Sequence, residues 1–168
     1  MARRVHPTPT QAVLKSSAEL TLRFATPRRS KGQRNATPVA RLNRLIKFVD
    51  GCVETEDWPA GNRGPEVLVA LFCWAHEQIY GVSCVAEVAR NFGAAYNSAE
   101  RLMRSEFDND FTSVVEFLRW VWKRERAQEK WRRENTGYGK VLTWRTVFRD
   151  GELLKMMRLD SLRTKGVL

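Results

Sequence analysis

The chain is 168 residues long, with 43% apolar and 29% charged residues and a net charge of +10. That length suits one globular domain plus a tail and suffices to bury a core. No stretch approaches the ~18 uncharged apolar residues of a membrane-spanning helix, and three cysteines without a C-x-x-C pair argue against a disulfide scaffold and for a reducing compartment.

The charge is unevenly spread. Residues 1–47 hold eleven lysines and arginines against the single acid Glu19, while basic and acidic residues balance from 48 onwards. A neutral body carries a basic arm, and clustered cations gain free energy by displacing counterions from the phosphates of a polyanion. Residues 1–38 combine Pro7, Pro9, Pro27 and Pro38 with many Ser and Thr, which predicts a flexible, largely disordered arm. Within it Ala18, Leu20, Leu22 and Phe24 alternate with polar residues. That period fits an extended segment that orders only against a partner. The Arg- and Ser-rich arm also fits a mitochondrial presequence as a minority reading, opposed by the prolines near its start. No apolar region follows Arg3-Arg4, so a secretory signal is excluded.

Residues 39–168 read as a helical domain. Val39, Leu42, Leu45, Ile46 and Val49 recur at helical spacing, with Gly51 as the expected stop. After an acidic, then Gly/Pro-rich loop, Pro65 opens a second helix that runs to about Tyr80, and Gly81 ends it. Two short helices follow over residues 85–104, then the loop Phe107-Asp108-Asn109-Asp110. The longest helix starts near Asp110, with Ser113 and Glu116 at capping-box spacing. Its first half is apolar on more than one face and must be deeply buried. Its second half, from Lys123, is predicted to emerge as a cationic rod whose apolar face shrinks to Ala127 and Trp131. A final helical stretch runs from Val141 to about Leu159, with a break at Gly151. The fold class is all-α: a compact multi-helix domain with a long, partly buried helix, preceded by a basic flexible arm.

The stretch VAEVARNFGAAYNSAERLMR, residues 85–104, resembles the helix-turn-helix superfamily of DNA-binding motifs. The resemblance covers about twenty residues. It places Ala89 where the two helices touch, Gly93 in the turn with a positive φ, and Ala99 and Leu102 against Val85 and Val88. Asn97 and Glu100 would cap the second helix. It further implies that the second helix enters the major groove. Tyr96, Asn97, Ser98, Arg101 and Arg104 would then meet base edges, and Arg90 a phosphate. Arg can fork onto guanine and Asn onto adenine. Two features depart from the motif: Glu100 and Glu106 repel phosphates, and Ala94-Ala95 stands where a branched residue is common. Any αα-hairpin with a glycine turn has this spacing, so plain core packing is the competing reading.

Other constellations are weaker. Cys73 and His76 share a helical face, with Cys52 and Cys84 flanking them, and four such ligands could hold zinc. Ordinary buried cysteines are the simpler reading, so no metal and no cofactor are assigned. No catalytic triad order, H-E-x-x-H, P-loop or nucleotide fingerprint occurs. The acids at 54–57 and 108–110 lie in turns that favour Asp and Asn without catalysis. No enzyme is expected. Around Trp131, Lys130, Arg132 and Arg133 could seat a stacked base or a partner's apolar group. The alternative, slightly favoured, tucks Trp131 onto the terminal helix.

Together these features predict a non-enzymatic nucleic-acid binder, with DNA favoured over RNA. It would be a regulatory or phage or mobile-element accessory factor of the cytoplasm or nucleoid, in a homo-oligomer or larger assembly. The arm residues Arg3, Arg4, Arg23, Arg28, Arg29, Lys31 and Arg34 would contact phosphates. The other class is a structural protein, nucleocapsid-like or a ribonucleoprotein subunit, whose arm binds without reading sequence.

Overall fold

Nine of the ten residues from Val67 to His76 are buried, Trp74 alone being half-exposed. A helix made from such a run has no solvent face and must lie at the centre of a bundle. In the computed structural model, which describes residues 37–135 and 141–165, it is the second of seven α-helices. These are α1 (Pro38–Thr55), α2 (Pro65–Tyr80), α3 (Val85–Arg90), α4 (Phe92–Glu106), α5 (Phe111–Asn135), α6 (Trp144–Phe148) and α7 (Glu152–Thr164), with one 3₁₀ turn at Ala60–Asn62. Helix α2 packs against α1, α4 and α5; α3 rests on α1, α6 on α4, and α7 on α5. The described residues contain no strand, and none of their helices is long and apolar enough to cross a membrane. The fold is the expected all-helical compact domain. Residues 1–36 of the arm, including the alternating island at 18–24, lie outside the described residues, while Thr37 and Pro38 belong to the start of α1.

The core is aromatic-rich. The Phe72 ring lies 5.5 Å from Trp122 and 5.9 Å from Phe148, so one side chain joins α2, α5 and α6. Such tilted pairs add to the free energy of burial itself. Phe72 and Phe117 head the side chains that are almost wholly buried.

Several helix ends differ from expectation. Thr37 caps α1 by accepting from the Ala40 amide at 3.3 Å, with Pro38 in the first turn. The helix does not stop at Gly51 but continues to Thr55, and Glu56 closes it in the left-handed conformation (φ 55°). Cys52 is fully buried and Val53 packs on the core. Extending the inward stripe outweighs the roughly 1 kcal/mol that a helical glycine costs. Gly81 (φ 68°) and Gly151 (φ 70°) do end and break helices as expected, since only glycine enters that region freely. At α5 the cap is Asp110, not the Ser113–Glu116 box. The Asp110 carboxylate accepts from the Thr112 amide (3.0 Å) and from the Ser113 hydroxyl (2.6 Å).

Residues 85–104 form two helices, as expected, but the junction is elsewhere. It falls at Asn91, whose backbone N–H donates to Val88 O (3.1 Å) and whose side-chain amide donates to Glu87 O (3.1 Å). Gly93 lies in the first turn of α4 without a positive φ, and Asn97 sits inside the helix rather than capping it. The early start has a packing reason: it seats Phe92 against the core and buries Ala95. A Cβ built on Gly93 would meet nothing within 4 Å. Gly93→Ala is therefore expected to raise stability by about 0.5–1 kcal/mol in urea denaturation. A loss would show that this glycine serves a turn after all.

Candidate nucleic-acid interface

Helix α4 has two unlike faces. Ala95, Ala99 and Leu102 are buried in the core with Val85, Val88 and Ala89 of α3. Asn97, Arg101 and Arg104, spaced i, i+4, i+7 on the opposite face, are all exposed. Gly93 and Ala94 extend that stripe toward the helix N-terminus and are exposed too. Tyr96 and Ser98 flank it half-buried, the Tyr96 ring 6.4 Å from that of Phe92. Arg90 is exposed in the last turn of α3.

The start of α4 is fixed by α1. The Arg41 guanidinium lies 5.5 Å over the Phe92 ring and pairs with Glu66 of α2. At the other end, Glu106 is paired with Arg158 of α7 at 3.0 Å, which neutralises one of the two phosphate-repelling acids. Glu100 lies 3.5 Å from Arg104. Among the described residues neither Arg101 nor Arg90 takes part in such an ion pair, so on α4 the Arg101 charge is more available than that of Arg104.

The second half of α5 departs from the expected cationic rod. Ala127 is exposed, and Trp131 is 60% exposed rather than tucked onto the terminal helix. The inward stripe instead continues through Leu118, Trp122, Glu125 and Glu129 to Arg132, at spacings of three and four. Glu125 is 5% exposed. It accepts from the Tyr80 hydroxyl at 2.8 Å and pairs with Arg132, while the Tyr80 oxygen accepts from the Leu142 amide at 3.0 Å. Burial raises the Tyr80 phenol pKa against the opposing Leu142 contact, and the hydrogen bond to Glu125 raises it further. Arg133 pairs with the buried Glu129 at 2.8 Å. Arg132 is thus held largely inside the fold, whereas Arg133 reaches Glu129 from an exposed position and faces solvent together with Lys130 and Trp131. Composition hid this network, because it counted the two glutamates as surface charge. Their register with Leu118 and Trp122 was the signal that could have found it.

Two concavities lie elsewhere. One, of about 260 Å³, is lined by Trp58, Trp74 and Trp122 together with Arg119, Lys123 and Arg126. The Trp74 indole donates to Asp50 at 2.7 Å, whereas the buried Trp122 N–H has no partner among the described residues. The other, of about 560 Å³, is lined by His76, Cys84, Arg90 and Arg133 among others. Of the four zinc candidates, His76 and Cys84 line this cavity, while Cys73, one turn before His76 on α2, and Cys52, near the end of α1, are fully buried. Among the described residues no three His, Cys, Asp or Glu side chains are arranged to hold a metal ion.

The structure therefore defines a class of fold, a compact all-helical domain, and leaves Arg3, Arg4, Arg23, Arg28, Arg29, Lys31 and Arg34 outside the described residues. No family model, no curated protein and no solved structure matches the chain.

Proposed function

We propose that this protein is a non-enzymatic nucleic-acid binder that uses α4 to read duplex DNA and its basic arm to hold phosphates. One observation carries the reading: Asn97, Arg101 and Arg104 form an exposed stripe on a helix whose other face is locked into the core. A helix anchored in this way can insert side chains into a major groove without losing its own packing. Gly93 and Ala94, small and exposed on the same stripe, leave room for close approach to a sugar–phosphate strand. Phosphate contacts from the arm would fix register and add affinity, while base contacts from α4 would discriminate. A regulatory or mobile-element accessory role fits that division of labour.

The test is selection of a preferred duplex from a random pool by the full chain. Arg101→Ala is expected to lower affinity for the selected duplex by about 1–3 kcal/mol and to relax preference at one or two base positions. Failure to enrich any sequence would remove the reading role from α4.

A second reading draws on Trp131, 60% exposed beside Lys130 on α5. A large exposed indole suits a partner surface, and in a structural assembly the arm alone would meet nucleic acid. Arm substitutions would then weaken binding, and α4 substitutions would not.

A further inference from the structure

The proposed function leaves the tryptophan-lined cavity of about 260 Å³ unused. It is walled by α2 and α5 and by Val53 and Trp58 at and beyond the end of α1. Helical spacing explains its two kinds of lining. On α5, Val115, Leu118 and Trp122 recur at intervals of three and four and turn inward. Arg119, Lys123 and Arg126 follow at intervals of four and three on the neighbouring stripe, where they are exposed. The three indoles are held from behind. Trp74 donates to Asp50 at 2.7 Å, Trp58 meets Phe111 edge-on at 5.5 Å, and Trp122 packs on Phe72 at 5.5 Å. A ligand therefore meets walls already in place, and binding pays little for ordering them.

We propose that this cavity binds a small aromatic carboxylate, its rings between the tryptophans and its carboxylate at the edge formed by Arg119, Lys123 and Arg126. The volume lies just below the roughly 300–1,000 Å³ of most ligand pockets, which suits one or two fused rings. Flat aromatic walls favour a flat aromatic guest, since tilted and offset ring pairs add to the free energy of burial.

Charge selects the rest of the ligand. Three cations line the cavity, and among the described residues no Asp or Glu does. Lys123 and Arg126 enter no ion pair among those residues. Arg119 has Glu56 at 3.6 Å, but the two side chains are 48% and 75% exposed. So solvated a pair is weak, and Arg119 can turn to a ligand at small cost. Further along α5 the balance is different, because Arg132 and Arg133 meet Glu125 and Glu129. A carboxylate at the Arg119 edge gains charge-assisted hydrogen bonds beside apolar walls that weaken screening by water. The chain's own arm is a poor occupant, because it is as basic as this edge. A nucleobase is poorly matched too. Its edge needs several donors and acceptors, and Gln78 is the one amide or hydroxyl side chain in the lining. Nothing in this site depends on DNA reading by α4.

Calorimetric titration of the full chain with naphthoate, and with its uncharged counterpart naphthalenemethanol, tests the assignment. Naphthoate is expected to bind once per chain and at least about tenfold more tightly than the alcohol. Lys123→Gln combined with Arg126→Gln should remove at least about that tenfold for naphthoate and leave the alcohol unchanged. Both residues are exposed, so the fold should persist, which circular dichroism checks. Arg44→Gln combined with Lys47→Gln removes the same charge from α1, outside the cavity lining, and should alter neither affinity. Equal affinity for acid and alcohol would overturn the proposal, as would a loss shared by the α1 substitutions or no binding at millimolar naphthoate. Displacement of naphthoate by a short single-stranded oligonucleotide would also overturn it and assign the cavity to nucleic acid.

Discussion

Glu125→Ala is expected to destabilise the protein by about 3 kcal/mol or more, measured as a drop in the urea midpoint at unchanged slope. The carboxylate is 5% exposed and holds two donors at once, the Tyr80 hydroxyl at 2.8 Å and the Arg132 guanidinium. Its removal takes the nearest carboxylate from a cation whose side chain is only 17% exposed, with Glu129 left 3.7 Å away as a more distant partner. It also strands the Tyr80 hydroxyl, which positions the Leu142 amide and so the segment that leads into α6. A buried donor that loses its acceptor costs its desolvation; that falls on the Tyr80 hydroxyl, while Arg132 loses its nearest carboxylate and keeps Glu129 and the Gln128 carbonyl within reach. Glu125→Gln keeps an acceptor for Tyr80 and should cost less than the alanine. A loss below about 1 kcal/mol for the alanine would mean that water replaces the carboxylate and that the network is not what joins α2 to α5.

The second large effect concerns the arm. Replacing Arg28, Arg29, Lys31 and Arg34 by Gln removes four of the eleven cations that precede residue 48. If each neutralises one phosphate, affinity for any duplex should fall by about 100- to 1,000-fold near physiological salt. The slope of log K against log salt should become shallower by about 3 to 4. The loss should be nearly the same for preferred and scrambled duplexes, because phosphate contacts carry no sequence information. A loss confined to one sequence would move base reading from α4 to the arm.

Much of the body was legible because helical periodicity is a local property. The helix from Pro65 to Tyr80, the glycine stops at 81 and 151, and the apolar first half of α5 each follow from spacing and from the conformational freedom of glycine. What failed were decisions between two local signals that only tertiary packing settles. Gly51 and Gly93 look like stops, yet each stands in open space within a helix whose neighbours gain burial by continuing it. Ser113 and Asp110 are both good caps, and the one that precedes Phe111 wins because that ring is needed in the core. The buried Glu125 and Glu129 defeated composition most plainly. A charge is read as solvated until its partners Tyr80, Arg132 and Arg133 are found, and Tyr80 lies 45 residues away from Glu125. Of the candidate interface, the outward placement of Asn97, Arg101 and Arg104 was legible from helical spacing, while the junction between the two helices lies at Asn91 and not at Gly93.

The most direct measurement is a fluorescence-anisotropy titration of the full chain and of Arg101→Ala with Arg104→Ala, on a selected duplex and its scrambled counterpart at several salt concentrations. The account predicts that the double substitution collapses the preference ratio toward one while the salt slope, set mainly by the arm, falls by no more than about 2. A preference ratio that survives the double substitution, in a protein still folded by circular dichroism, would contradict reading by α4.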